Sequence, residues 1–188
     1  MIILGIDTSS SLCSAGLADG AEIVTLIGQS SINLKHAHSE KLITLIDNLL
    51  RESGVDKKNI HAIAVSIGPG SFTGLRIGVS AAKGLSFRLD VPVVGVPTLN
   101  IIAEKVRFLD EPVHVAMTSR KNEFYYGVYV RGVCQSDTAV VTFDEMISKE
   151  IPILITDTPE AFKDKFSKPV IILDKDFSFP DMFCLMKL

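Results

Sequence analysis

Gly68-Pro69-Gly70-Ser71-Phe72-Thr73-Gly74-Leu75-Arg76-Ile77-Gly78 holds the most restrictive residues of this chain, and its reading decides the fold. Ahead of it, Ile60 to Ile67 is apolar, rich in β-branched residues and too short for an ordinary helix, which predicts a buried strand. Behind it, Phe72 to Leu89 repeats small and apolar residues at helical spacing without proline, which predicts a helix. Strand, tight turn, helix is the local order, and two glycines around a proline let the turn backbone approach another group closely. The open N–H groups at such a helix start form an anion site, with Ser71 and Thr73 as further donors; the same hydroxyls serve equally as a cap. The spacing matches neither a Walker loop, which has Gly-Lys-Ser/Thr where this chain has Gly74-Leu75-Arg76, nor a dinucleotide fingerprint, whose third glycine falls one residue earlier. Inside the helix, Gly74, Gly78 and Gly84 each cost about 1 kcal/mol relative to alanine, so a tertiary contact must compensate. With Ser80, Ala81 and Ala82 they make a slim face, suited to close packing within the domain or to a subunit interface.

A chain of 188 residues that is 47% hydrophobic can bury a substantial core, as one domain or as two small halves. Its formal charge of -3 argues against a phosphate-driven nucleic-acid surface, so contact with nucleic acid is expected to be indirect. Cys13, Cys134 and Cys184 are odd in number, widely spaced and free of a C-x-x-C pair, which suits reduced thiols in a cytoplasmic protein. No apolar run approaches the roughly 18 residues of a membrane span, and Met1 to Ile6 is too short for a leader, so a soluble, non-secreted protein is expected.

In chain order, Ile2 to Ile6 is predicted as a buried strand ending in the polar turn Asp7-Thr8-Ser9-Ser10-Ser11. Cys13 to Ala18 and Glu22 to Ile27 follow as strands joined at Asp19-Gly20. Asp7 either orients a metal-bound nucleotide or closes an Asx-turn. A helix is predicted over Ser39 to Ser53, capped by Ser39, favoured by Glu40 in its first turn and stopped by Gly54. Its apolar positions, among them Leu42, Ile43, Ile46 and Leu49, form two adjacent stripes, wider than one sheet contact requires, which implies a second partner. His36 and His38 precede it, but a zinc site would want a histidine at position 42, where leucine stands.

Val91 to Val96 is predicted as a strand, and Pro97-Thr98 opens a helix to about Phe108, after which Asp110-Glu111-Pro112 has the composition of a linker. A second half is expected from there. Val113 to Met117 and Glu123 to Val130 form a hairpin around Ser119-Arg120-Lys121-Asn122. Phe143 to Lys149 and Pro159 to Phe166 are predicted as helices, Pro152 to Thr156 and Val170 to Leu173 as strands, and the tail from Asp176 shows no period, so it either docks on the body or is partly disordered. Arg120, Glu123, Tyr125 and Tyr126 either grip a substrate or make a charged turn beside a core tyrosine. No G-x-S-x-G elbow is present, and His61 and His114 fall in or beside apolar runs as expected core histidines.

Ile2-Ile3-Leu4-Gly5-Ile6-Asp7-Thr8-Ser9, His38-Ser39-Glu40-Lys41-Leu42, the central Gly68 to Gly78 run, Lys83-Gly84-Leu85 and Gly95-Val96-Pro97-Thr98-Leu99 together resemble the TsaB family, also called YeaZ, over roughly residues 1–129. The resemblance implies an α/β, actin-like and Hsp70-like ATPase (ASKHA) fold of two related halves, here residues 1–110 and a smaller half, 111–188, short of the family's usual length. It implies a bacterial, cytoplasmic, non-catalytic scaffold for synthesis of N6-threonylcarbamoyladenosine at position 37 of tRNA. The partners implied are the catalytic paralogue TsaD, the ATPase TsaE through it, a second copy when TsaD is absent, and tRNA indirectly, with no membrane contact. The paralogue holds its metal with two histidines four residues apart in the helix matching residues 38–53; here His38 stands and Leu42 replaces the other, so no metal is expected. The implied partner interface comprises His38, Glu40, Leu42, Ile43, Ile46 and Leu49 on one helix, and Gly74, Leu75, Gly78, Ala81, Ala82 and Leu85 on the other. Asp7, Thr8, Ser9, Gly68, Gly70 and Ser71 are the implied nucleotide positions, with ATP or ADP and Mg at the joint with TsaD rather than on the chain alone. The competing expectation is an ATP-dependent enzyme of this fold, kinase-like or peptidase-like, acting by itself. Ile67 stands where the family usually has arginine or glycine, and Thr118-Ser119-Arg120 where it has Asp-Ala-Arg, which weakens any contact carried over at those positions.

Overall fold

The first sheet grows from the N-terminus by two antiparallel steps and then two parallel ones. In this computed structural model, which describes residues 1–20, 23–33 and 38–188 and the side chains of all of these except 38–40, β1 (Ile2–Asp7) pairs with β2 (Leu12–Asp19), and β2 with β3 (Thr25–Asn33). β4 (Ile60–Ser66) lies parallel to β1 and β5 (Val93–Val96) parallel to β4, giving the order β3-β2-β1-β4-β5. Period-two alternation sorts the two faces. Leu4 and Ile6 of β1, with Cys13, Ala15 and Leu17 of β2, face one core.

That core is covered by two helices. α1 (His38–Ser53) lies against β2 and β3 through Leu42, Leu45, Ile46 and Leu49, all buried, and stops at Gly54, whose φ of +68° suits glycine. Ser39 lies within α1 rather than before it, while Glu22 and His36 fall outside the described residues. α2 (Phe72–Leu89) has the expected bounds and lies against β4, β1 and β5. Its cap is Ser71, whose side chain accepts from Gly74 N–H.

Two units divide the chain, Met1–Thr98 with Pro180–Leu188, and Leu99–Phe179. The division therefore falls about a helix earlier than the expected residue 110, because Leu99, Ile102 and Ala103 of α3 (Thr98–Glu104) pack with Val113, Val115 and Ile155 of the second core. Of the two expectations for the tail, docking on the body is the one observed. Residues 182–187 form α6 (Met182–Lys187), capped by Asp181, which lies against β1 and β2. Gly5 and Gly16 give it room: a Cβ on Gly16 would stand 2.7 Å from Met182 Cβ, and one on Gly5 2.9 Å from Leu185 and Met186.

The second unit repeats the strand plan. β6 (Val113–Arg120) forms an antiparallel hairpin with β7 (Glu123–Val130), and β10 (Ile153–Thr156) and β11 (Ile171–Ile172) extend the sheet in parallel on the other side of β6. The order is β11-β10-β6-β7-β8, with β8 (Val133–Cys134), and β9 (Ala139–Thr142) also pairs with β7. β6 runs three residues further than expected, leaving Lys121-Asn122 as the turn, with Asn122 at φ +62°. α4 (Phe143–Ile147) starts in a capping box between Thr142 and Glu145, and α5 (Pro159–Phe162) drops Phe162 among Phe124, Phe143 and Phe166.

The α6 contact tests directly. Gly16→Val forces Met182 aside and is expected to cost about 2 kcal/mol, lowering the midpoint of a circular-dichroism melt by about 4–8 °C; an unchanged midpoint would mean that α6 does not hold this face.

Candidate functional site

The turn after β4 closes on the turn after β1. Ser71 N–H donates to Ser9 O (2.7 Å), Thr8 Oγ1 donates to Gly74 O (2.7 Å), and Thr98 N–H donates to Gly68 O (2.8 Å). Ser9 N–H and Oγ both donate to Asp7 Oδ1, at 3.2 and 2.7 Å. Asp7, Thr8 and Ser9 are all buried. The Gly68–Pro69 peptide is cis, and Gly68, at φ +105°, takes a conformation that other residues rarely adopt. Gly74 and Gly78 lie four residues apart on one helix face, and a Cβ on either would strike Thr8, on its carbonyl oxygen and its Oγ1 respectively; a Cβ on Gly70 would strike Ser9 O.

The structure thus brings all six nucleotide candidates, Asp7, Thr8, Ser9, Gly68, Gly70 and Ser71, to the carboxyl ends of β1 and β4, where open α/β sheets bind ligands. It also engages them with one another. Ser71 N–H and Gly74 N–H, two donors a phosphate would use, are bonded to Ser9 O and Ser71 Oγ. Sequence reading missed Ser66, buried beside this turn at the end of β4, because a lone hydroxyl after an apolar strand carries no pattern. Burial and the nearby Asp7 carboxylate push the Cys13 thiol up to about 11, which leaves it an inert core residue.

The interface candidates separate into two groups. Leu42, Ile46, Leu49, Gly74, Gly78 and Ala82 are buried within their own unit and are not available to a partner, because the inner stripe of α1 meets the sheet and the glycine row of α2 meets Thr8. A charge placed at Leu42 or Gly78 therefore perturbs folding rather than docking. Ile43 is 53% exposed, and Leu75, Ala81 and Leu85 are half-buried, while the side chains of His38 and Glu40 lie outside the described residues. The outward face of α2 instead carries Phe72, Arg76, Ser80, Lys83, Gly84 and Phe87, with Phe87 92% exposed and nothing within 4 Å of a Cβ on Gly84. Arg76 stacks on Phe72, its guanidinium 5.5 Å from the ring centre.

Elsewhere the residues read as structural. His61, expected in the core, is exposed, and its Nδ1 accepts Ile2 N–H at 3.0 Å. His114 is buried as expected, hydrogen-bonded through Nδ1 to the Tyr126 hydroxyl; burial, reinforced by Lys149, lowers it from 6.5 to about 4. Tyr126 is buried and Tyr125 half-buried, on the opposite faces expected of neighbouring strand residues. Thr118 N–H and Oγ1 donate to Asp157 Oδ1, both at 3.0 Å, which ties β6 to the end of β10. Among the described residues no group of three His, Cys, Asp or Glu side chains could hold a metal ion, and no helix is long and apolar enough to cross a membrane.

Two α/β units built on one strand plan, with a glycine turn closed over the end of the first strand, define the actin-like, Hsp70-like α/β fold. The family profile described as "TsaD: tRNA N6-adenosine threonylcarbamoyltransferase" matches residues 26–181. The chain is 35% identical over 132 residues, 69% of its own length and 61% of the other's, to tRNA threonylcarbamoyladenosine biosynthesis protein TsaB of Buchnera aphidicola subsp. Schizaphis graminum. It is 32% identical over 178 residues, 95% of its length and 72% of the other's, to TsaB of Bacillus subtilis. The solved structure of YeaZ from Pseudomonas aeruginosa superposes with a TM-score of 0.81 at 26% identity, over 100% of this chain and 90% of that one. The chain belongs to the TsaB (YeaZ) family. It spans less than two thirds of the Buchnera relative's length.

Two measurements check this geometry. Gly74→Ala is expected to cost about 2 kcal/mol in urea unfolding, whereas Gly84→Ala, on the same helix with open space around it, should gain about 1 kcal/mol; equal effects would contradict the close approach to Thr8. His114 is held neutral, its folded value lying below its ordinary one, so its contribution is fully present above pH 6.5 and is lost as pH falls from there towards about 4. Up to about 3 kcal/mol should disappear over that interval, and His114→Gln should flatten the profile.

Proposed function

We propose that this chain is a non-catalytic scaffold subunit of the machinery that forms N6-threonylcarbamoyladenosine at position 37 of tRNA. In this reading it docks a TsaD-family partner on the outward surface of α1 and α2, and through that partner the ATPase TsaE; tRNA is met indirectly. The observation that carries it is the outward face of these two helices: Ile43 of α1 and Phe87 of α2 are exposed, and Ser80 and Gly84 of α2, small and exposed, leave room for another helix to settle. The curated relatives, named tRNA threonylcarbamoyladenosine biosynthesis proteins, supply the pathway.

Leu42 supports the non-catalytic half of the reading. It is fully buried in the first core and has no lone pair to offer a metal, at the position where the resemblance places the paralogue's second histidine. The engaged turn supports the rest: with Ser71 N–H and Gly74 N–H already bonded, nucleotide is assigned to the joint with TsaD rather than to the chain alone. In the absence of its partner the same surface is expected to pair with a second copy, an isologous contact in which each α2 seam faces its twin.

Ser80→Arg combined with Gly84→Arg is expected to abolish co-purification with the TsaD-family protein of the same organism while leaving the circular-dichroism spectrum near native, since both positions are exposed. The purified chain alone, given threonylcarbamoyl-adenylate and tRNA, should yield no modified adenosine on nucleoside mass spectrometry. Product in that assay would end the scaffold reading.

A further inference from the structure

Between α1 and α2 runs an apolar groove rimmed by charged side chains. It encloses about 270 Å³ and is lined by Ile46, Leu50, Leu85 and Leu89, with Ile43 at its lip. Around it stand Lys57 and Lys58, from the 3-10 turn that follows α1, and Arg88, from the last turn of α2, against one carboxylate, Asp47. All four are exposed. Among the described residues, none of the three cations has an anionic side chain within salt-bridge distance. A chain of net charge -3 thus sets three cations against one carboxylate on the lining of its apolar groove.

Size and charge together select the occupant. The volume falls below the roughly 300–1,000 Å³ of pockets for drug-sized ligands, and suits one large apolar side chain with its immediate neighbours. A purely apolar segment laid here would strip water from three ammonium and guanidinium groups without replacing it, which is costly. A segment carrying carboxylates beside its apolar anchor removes that cost and gains charge-assisted hydrogen bonds, bidentate where Arg88 is concerned. We propose that this groove receives an apolar anchor side chain flanked by carboxylates on a segment of the partner protein. The proposal rests on the docking reading above and adds the socket and the charge that its partner must present.

The test is a calorimetric titration of the full chain with the TsaD-family protein of the same organism, at about 50 mM and about 500 mM salt. Wild-type affinity should fall by about 10-fold or more between the two, and Lys57→Glu with Lys58→Glu should weaken it by about 30-fold at low salt, with Arg88→Glu acting in the same direction. Thermal melts of these surface variants should match the wild type, which separates lost binding from lost folding. If the charge reversals bind normally while Ser80→Arg with Gly84→Arg does not, the socket is overturned and the docking surface stands. Normal binding by every variant overturns both. If the reversals alter only self-association in sedimentation equilibrium, a second copy is the occupant, and the proposal is overturned.

Discussion

Thr8 pressed against the backbone of α2 is the contact on which the first unit is organised. Its hydroxyl donates to Gly74 O, and a side chain at either Gly74 or Gly78 would occupy the space that Thr8 fills. Two helix-interior glycines, each unfavourable by about 1 kcal/mol in isolation, are therefore the means by which the helix comes within hydrogen-bonding distance of the turn after β1. From that approach follow the Ser71 to Ser9 bond, the burial of Asp7, and the direction in which α2 leaves the sheet. The same approach turns one N–H group of the helix start, that of Ser71, onto the loop after β1.

Much of this plan was legible in the sequence, and the reasons are local. Gly68-Pro69-Gly70 punctuates the chain strongly enough that the strand before it and the helix after it are both placed, α2 to the residue. Period-two runs gave β1, β2, β6 and β7 to within a few residues. What could not be read is what each surface faces. A glycine row on a helix reports that some backbone comes near, and says nothing about whose; here it is the chain's own Thr8. Two apolar stripes on α1 likewise report excess width, and the structure spends the stripe through Leu42, Leu45, Ile46 and Leu49 on the sheet.

The failures share a cause in low sequence contrast. β3 extends to Asn33 through Gly28-Gln29-Ser30-Ser31, which lacks the apolar alternation that marks a half-buried strand, because it is an edge strand with both faces largely exposed. α6 is six residues long, too short to establish a 3.6-residue period, so its tie to Gly5 and Gly16 was invisible although both glycines stand in the sequence. The division between units was misplaced for a related reason. Asp110-Glu111-Pro112 has linker composition, but units are separated by where side chains pack, and α3 gives Leu99, Ile102 and Ala103 to the second core.

Single exposed apolar residues are ordinary on soluble proteins, so Phe87 or Ile43 alone carries little weight. Continuity is what distinguishes this surface: Ile43, Leu50, Leu85 and Leu89 line one groove from two different helices, and neither helix could close it without drawing nearer to the other. Such an approach is opposed by the sheet contacts of α1 and by the fixed distance of α2 from Thr8. The clasp that spends the glycine row inside the unit thus also fixes where α2 stands beside α1, and with it the groove between them.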